Sequence, residues 1–312
     1  MTPFAFVFPG QGSQSVGMLD AWGDHPAVRQ TLDEASSALG EDIGALIRNG
    51  PKEQLDLTTH TQPVMLAAGL ACYRAWLAET GLRPQMVAGH SLGEYTALVA
   101  AGALTLADAL PLVRFRAQAM QEAVPVGVGA MAAILGIDAQ AVQAGCVEVA
   151  RASGEVVEAV NFNDPRQTVI AGSKSGVEQA CIALKAKGAK RTLSLPVSAP
   201  FHSSLMRPAA ERLKLRLEAT SFAEPVLRVV NNVDVLCETD PQRIRDALYR
   251  QAFGPVRWVE AVQAMRAQGM THIFECGPGK VLAGMVKRTD GDAVTATVFD
   301  MQSLAEARSL LS

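Results

Sequence analysis

The first apolar run of the chain is Phe4-Ala5-Phe6-Val7-Phe8, stopped by Pro9-Gly10. Apolar residues in unbroken succession predict a short strand covered on both faces. Helical spacing of apolar positions follows over residues 27–39, 63–79 and 106–123. A second buried strand, Met86-Val87-Ala88, leads almost at once into a helical stretch over 94–101. The Gly-rich break Pro125-Val126-Gly127-Val128-Gly129 then interrupts this pattern. Residues 131–135 read as strand and 138–152 as helix. Residues 156–161 and 168–171 read as strands joined by the turn Asn163-Asp164-Pro165, then 174–187 as helix and 191–195 as strand. The alternation of the first third resumes with a helix over 204–220, a strand over 227–231 and helices over 241–251 and 255–268. A strand over 272–276, the loop Gly277-Pro278-Gly279 and a helix from Lys280 follow.

Strands alternating with helices imply an α/β fold built on a mostly parallel sheet covered on both faces. The order βαββαβ in the middle is the ferredoxin-like arrangement. Residues 127–197 are therefore expected to form a small subdomain inserted into a larger unit made of 1–126 and 198–312. A length of 312 residues suits one large domain or two. Composition changes this picture little, because 49% hydrophobic and 19% charged residues are ordinary for a packed globular chain. A net charge of −3 offers no general attraction for nucleic acid. No apolar run approaches the ~20 residues of a membrane-spanning helix. No basic segment precedes the first strand, so a signal peptide is not expected. The cysteines are odd in number and lack C-x-x-C spacing. They point to buried thiols in a reducing cytoplasm rather than to a disulfide framework or a zinc site. Cys276 reads as a buried strand residue, and Gly277-Pro278-Gly279-Lys280 lacks the spacing of a P-loop.

The candidate chemistry sits in Gly89-His90-Ser91-Leu92-Gly93-Glu94. G-x-S-x-G between a strand and a helix is the pattern of a nucleophile elbow. Its glycines allow a tight turn that pushes the serine hydroxyl out of the fold. The helix N-terminus that follows can stabilise a developing oxyanion. A Gly-rich turn whose serine only caps a helix carries the same letters. A nucleophilic serine needs a base. His25 and His60 fall in polar, loop-like stretches expected to be exposed, and His272 opens an apolar strand. His90 adjoins the elbow but faces away from Ser91 if the strand alternates. His202 lies in a Pro-punctuated loop at the junction of the two expected units, where small-molecule sites concentrate. An ordinary loop histidine is the competing reading. Asp164 falls between Ser91 and His202 in chain order, but in a turn, where aspartate is a turn former. A Ser–His dyad whose imidazole is oriented by a backbone carbonyl needs no carboxylate. The loop Pro9-Gly10-Gln11-Gly12-Ser13-Gln14 follows a strand, and its glycines let the backbone approach a ligand. A plain strand–helix turn fits that stretch equally.

Five segments occur in order: Phe-Pro-Gly-Gln-Gly-Ser-Gln at 8–14, Gly-His-Ser-Leu-Gly-Glu-Tyr at 89–95, Val-Asn-Phe-Asn at 160–163, Ala-Pro-Phe-His at 199–202 and Glu-Cys-Gly-Pro-Gly-Lys-Val-Leu at 275–282. Together they resemble the malonyl-CoA:acyl-carrier-protein transacylases, part of the acyltransferase family shared with polyketide synthase modules. The resemblance runs from residue 4 to about residue 300. It implies an α/β-hydrolase-like large domain with the ferredoxin-like insert. It implies ping-pong transfer of malonyl from malonyl-CoA to the phosphopantetheine thiol of holo acyl carrier protein, supplying fatty-acid elongation. Ser91 matches the acylated serine and His202 the base and acid. Backbone N–H groups of Gln11 and Leu92 match the oxyanion donors. Arg116 matches the arginine that grips the substrate's free carboxylate, and Gln251 the residue whose backbone carbonyl steadies the histidine. Phe201, Met120 and His90 complete the expected substrate-binding set; Phe201 resembles the malonyl-preferring pattern. No metal and no bound cofactor are implied.

A guanidinium can grip a carboxylate through two parallel charge-assisted hydrogen bonds. A simple acyl thioester leaves such an arginine unpaired and costly to bury. A solvated helix face is the ordinary setting of an arginine, and Arg114 is the local competitor, pointing to another side of the helix. The carrier is expected to dock transiently by charge. The run Lys185, Lys187, Lys190 and Arg191 is one candidate surface, and Lys280, Lys287 and Arg288 another, with an ordinary solvated surface as the competing reading. The whole reads as a cytoplasmic monomer. Alternatives are a malonyl transferase serving a polyketide carrier, a serine thioesterase or esterase, and a catalytically idle acyltransferase-like scaffold or binding subunit.

Overall fold

The computed structural model describes residues 2–311. Its strands are β1 (Phe4–Phe8), β2 (Met86–Gly89), β3 (Gly129–Leu135), β4 (Val157–Asp164), β5 (Gln167–Ser173), β6 (Arg191–Ser194), β7 (Arg228–Val230), β8 (His272–Cys276) and β9 (Val294–Val298). They form two sheets. One has the order β7-β2-β1-β8-β9 and every pairing in it is parallel. The other has the order β4-β5-β3-β6 and every pairing is antiparallel. That second order is the one a ferredoxin-like βαββαβ chain produces, with helices Ala139–Ser153 and Lys174–Ala186 as its two crossovers.

Strand β1 is the middle of the parallel sheet and all five of its residues are buried. Side chains alternate across a strand, so Phe4, Phe6 and Phe8 face one way and Ala5 and Val7 the other. The phenylalanines meet helix Thr58–Thr80, where Phe6 stands edge-on to Trp76 at 5.2 Å and Phe8 to Tyr73 at 6.1 Å. Edge-to-face pairs of this kind contribute about 1 kcal/mol each beyond their burial. Ala5 and Val7 pack instead with Trp258, Val262 and Val286 from the opposite helical layer. The antiparallel sheet divides its faces in the same way. Ala132 and Ile134 pack under its own two helices with Val142 and Leu184, whereas Met131 and Ala133 join the main core. The outer strand β4 is stitched to the main unit by a bridge between Asn161 and Val256.

Several elements are not legible in the apolar pattern. The short helices Ile43–Asn49 and Lys52–Leu55, strand β9 and helix Met301–Ser309 all exist. Strand β9 is the edge of the parallel sheet, and four of its five residues are half-exposed, so it lacks a fully apolar run. Helix Thr58–Thr80 starts five residues before Pro63, with Thr61 Oγ1 donating to the carbonyl of Leu55. His60 therefore lies in a helix and is half-buried, not in an exposed loop. His25 also differs from expectation: its Nδ1 accepts from Ala27 N at the start of helix Pro26–Leu39, and its side chain is 8% exposed. The turn expected at 163–165 falls slightly later. Asp164 ends β4, and its carboxylate accepts from Arg166 N and from Arg288.

The C-terminal ends of β1, β2 and β7 lie side by side, and the loops that leave them carry Gln11, Ser91 and Asn232. In an open parallel sheet this edge is where ligands bind.

Candidate active site

The elbow after β2 requires both of its glycines. A Cβ on Gly89 would stand 1.8 Å from the carbonyl carbon of Gly93, and one on Gly93 would stand 2.1 Å from the carbonyl oxygen of Phe8. The two positions are thus backbone-on-backbone contacts between β1, β2 and the helix Gly93–Ala100. Ser91, between them, has φ +52°. A left-handed backbone at a serine is sparsely populated and is held by its surroundings. Here Asn232 supplies them, accepting the Ser91 N–H at 2.7 Å and donating to the Gly89 carbonyl at 2.7 Å. His202 has φ +67°, so both members of the pair carry this strain.

Ser91 Oγ lies 2.7 Å from His202 Nε2. The other ring nitrogen, Nδ1, is 2.9 Å from the backbone carbonyl oxygen of Gln251. A carbonyl oxygen only accepts, so Nδ1 carries the proton and Nε2 is left free to take one from serine. His202 is 4% exposed. Burial pushes its pKa down to about 3, with the nearby Arg116 charge adding to the shift.

Arg116 is 2% exposed on helix Leu106–Glu122. Its guanidinium donates to Gln62 Oε1 at 2.8 Å, Gln251 Oε1 at 3.0 Å and Ser91 Oγ at 3.2 Å, and it stands over the Tyr95 ring. Among the described residues, no carboxylate hydrogen-bonds it. Burial lowers its pKa. Arg114 is placed quite differently: it grips Glu41 with two hydrogen bonds of 2.6 and 2.9 Å away from the site.

A cavity of about 130 Å³ opens onto these groups. Gln11, His90, Leu92, Met120 and Phe201 line it, as do Met131 and Asn161 from the antiparallel sheet. The backbone N–H groups of Gln11 and Leu92 donate to no protein acceptor among the described residues. Their loops touch: a Cβ on Gly10 would come 2.6 Å from the His90 carbonyl oxygen and 3.8 Å from Leu92 N. Two free N–H groups beside a serine–imidazole pair can hold an oxyanion formed at that serine.

A family model described as an acyl transferase domain matches residues 5–303. The malonyl CoA-acyl carrier protein transacylase of Escherichia coli strain K12 is 54% identical over 308 residues, which are 98% of this chain and 99% of that one. The chain belongs to the malonyl CoA-acyl carrier protein transacylase family. A solved acyl-carrier-protein S-malonyltransferase from Burkholderia pseudomallei 1710b is similar to it with a TM-score of 0.97 and 64% identity, covering 99% of this chain and 100% of that one. A malonyl-transacylase solved in complex with a type II polyketide-synthase acyl-carrier protein is similar to it with a TM-score of 0.96 and 49% identity, over 99% of this chain and 100% of that one.

Within this transacylase fold, every residue assigned to the site from the sequence falls in or beside one cavity. His90 lines the cavity while its Nε2 meets Asn163 Oδ1 at 2.8 Å and its ring lies 5.5 Å from Trp258. Burial lowers its pKa. Gln251 contributes more than its carbonyl, since its side-chain amide also meets Arg116 and Ser91. Sequence reasoning misses Gln62 and Asn232. Gln62 gives no signal, because it sits among the polar residues Thr58–Thr61 that open helix Thr58–Thr80 and its role depends on reaching Arg116. Asn232 gives none either, because its role depends on where β7 ends beside β2.

Proposed function

We propose that this chain transfers malonyl from malonyl-CoA to the phosphopantetheine thiol of acyl carrier protein, supplying fatty-acid elongation. His202 Nε2 takes the Ser91 proton while Oγ attacks the thioester carbonyl. N–H groups of Gln11 and Leu92 hold the oxyanion. The carbon–sulfur bond breaks, and coenzyme A leaves as thiol with the proton from His202. The carrier's thiol then attacks the malonyl-serine ester, giving its proton to His202, which returns it to Ser91. No step uses a metal or a bound cofactor.

The observation that carries this reading is Arg116, a buried cation whose hydrogen-bond acceptors among the described residues are all neutral, 3.2 Å from the nucleophile. A substrate carboxylate fills that deficiency, and an acetyl group does not. The same carboxylate offsets the Arg116 charge that helps depress His202, so malonyl also makes the base stronger. Phe201, Met120 and His90 shape the acyl pocket in this reading.

Residues 1–126 and 198–312 act as the catalytic unit and 127–197 as the insert that roofs it. Supporting this, every strand of the antiparallel sheet falls within 129–194. The carrier docks by charge on a cytoplasmic monomer. Arg288 is engaged with Asp164, and Lys187 with Glu148, which favours the exposed Lys190–Arg191 end of the basic run. A second reading keeps the chemistry and changes the carrier, since a similar transacylase has been solved with a polyketide-synthase carrier protein. Initial velocities with varied malonyl-CoA and holo carrier test the two-step scheme. Parallel double-reciprocal lines are expected; intersecting lines would contradict an acyl-enzyme that forms before the carrier binds.

A further inference from the structure

Glu94 is buried beneath the elbow, 2% exposed, and the scheme above gives it no task. It lies in the first turn of the helix Gly93–Ala100, and one of its carboxylate oxygens, Oε2, receives two hydrogen bonds. One comes from Asn232 N at 2.9 Å and one from Gln251 Nε2 at 2.9 Å. These are the two residues that hold the reacting groups in place. Asn232 Oδ1 takes the Ser91 N–H. The Gln251 backbone orients His202, and its side-chain oxygen meets Arg116 at 3.0 Å.

A glutamine amide has an oxygen end and a nitrogen end, and what surrounds it decides which way it points. Arg116 donates only, so it needs the oxygen end. An acceptor on the other side must take the nitrogen end. The Ser91 carbonyl accepts from that nitrogen at 3.0 Å, and Glu94 accepts from it at 2.9 Å. If the amide turned over, its NH₂ would face the guanidinium, and Arg116 Nη2 would lose one of its two acceptors, leaving Ser91 Oγ alone.

We propose that Glu94 is a positioning residue for malonyl selection: its buried acceptor oxygen, together with the Ser91 carbonyl, fixes the sense of the Gln251 amide, and through it the pose of Arg116. It touches no substrate atom. Its action is on which acyl group is accepted more than on whether Ser91 reacts. This inference rests on the reading of Arg116 as the carboxylate grip.

The test compares kcat/KM for malonyl-CoA and acetyl-CoA in the wild-type enzyme, Glu94→Ala and Glu94→Gln, with holo carrier as acceptor and a melting curve for each. Glu94→Ala is expected to lower the malonyl-to-acetyl ratio at least tenfold, mainly through a higher KM for malonyl-CoA. Glu94→Gln retains an oxygen that can occupy the acceptor position, and it is expected to recover most of that ratio. If Glu94→Ala does not fold, Glu94→Asp withdraws the acceptor by one methylene and should shift the ratio in the same direction. A purely structural role would lower both substrates alike in step with the melting temperature. An unchanged ratio in a folded Glu94→Ala or Glu94→Asp would overturn the proposal, as would a Glu94→Gln that loses as much ratio as Glu94→Ala. A wild-type enzyme without malonyl preference would instead overturn the underlying reading of Arg116.

Discussion

His202 Nδ1 meets the backbone carbonyl oxygen of Gln251 at 2.9 Å, so the imidazole is oriented by a main-chain oxygen rather than a carboxylate. A neutral orienter does little to stabilise the imidazolium. Burial and the Arg116 charge both disfavour it, which is why the His202 pKa is pushed down to about 3. An unfolded chain would protonate this residue near pH 6.5. The imidazole is therefore neutral across the neutral and mildly acid range. The acid limb of kcat/KM for malonyl-CoA, which reports the free enzyme, is expected below about pH 5. A limb near pH 6.5 would contradict an imidazole held neutral by burial and Arg116.

The same shift has a stability consequence of fixed sign. Above about pH 6.5 both folded and unfolded forms hold His202 neutral, and its contribution is complete. Below that pH the unfolded chain binds a proton that the folded one refuses, so stability falls as pH drops toward 3. Urea unfolding at pH 7 and pH 5 should show this fall, and His202→Gln should reduce its steepness. An equal slope in the variant would contradict the assignment.

Arg116 and Arg114 are two residues apart and should behave oppositely. A charge-assisted contact to substrate of about 3 kcal/mol corresponds to about a hundredfold in rate. Arg116→Ala should therefore lower malonyl kcat/KM by about that factor and shift preference toward acetyl. Arg114 forms a partly exposed pair with Glu41, worth about 0–1 kcal/mol. Arg114→Ala should cost little stability and leave the malonyl preference as it was. Equal effects of the two substitutions on selectivity would contradict the placement of Arg116 as the grip.

Most of the site is legible because its residues are carried by short, ordered motifs. Ser91, His202 and Gln11 sit in such stretches of sequence, Arg116 follows from the family resemblance, and all four line one cavity. Asn232 and Gln62 are illegible for a different reason. Their roles come from pairings between distant elements, Asn232 with the Ser91 N–H and Gln62 with Arg116. The fold has the same limit. The aromatic face of β1 announces a buried strand, but β9 is an edge strand whose residues, Val-Thr-Ala-Thr-Val, carry no continuous apolar run. His25 and His60 differ from expectation because polar neighbours hide a helix cap and a helix start.

Glycine requirements separate the elbow from the loops. Gly93→Ala would drive a Cβ to 2.1 Å from the Phe8 carbonyl oxygen. It should cost at least about 3 kcal/mol, a value reserved for named structural conflicts. Gly12 has φ +109° but nothing within 4 Å of a Cβ. Gly12→Ala carries only backbone strain, of order 1–3 kcal/mol. Denaturant unfolding of both variants checks the order; a Gly93→Ala as stable as Gly12→Ala would contradict the packed elbow.

In the proposed scheme Ser91 carries malonyl between two thiols. Intact-mass measurement of the protein after malonyl-CoA, and again after holo acyl carrier protein, tests it most directly. The expected result is a malonyl adduct that maps to Ser91, is absent from Ser91→Ala, and moves onto the carrier. An adduct lost to water at the same rate with or without carrier would contradict transfer, and an adduct that persists in Ser91→Ala would contradict the nucleophile.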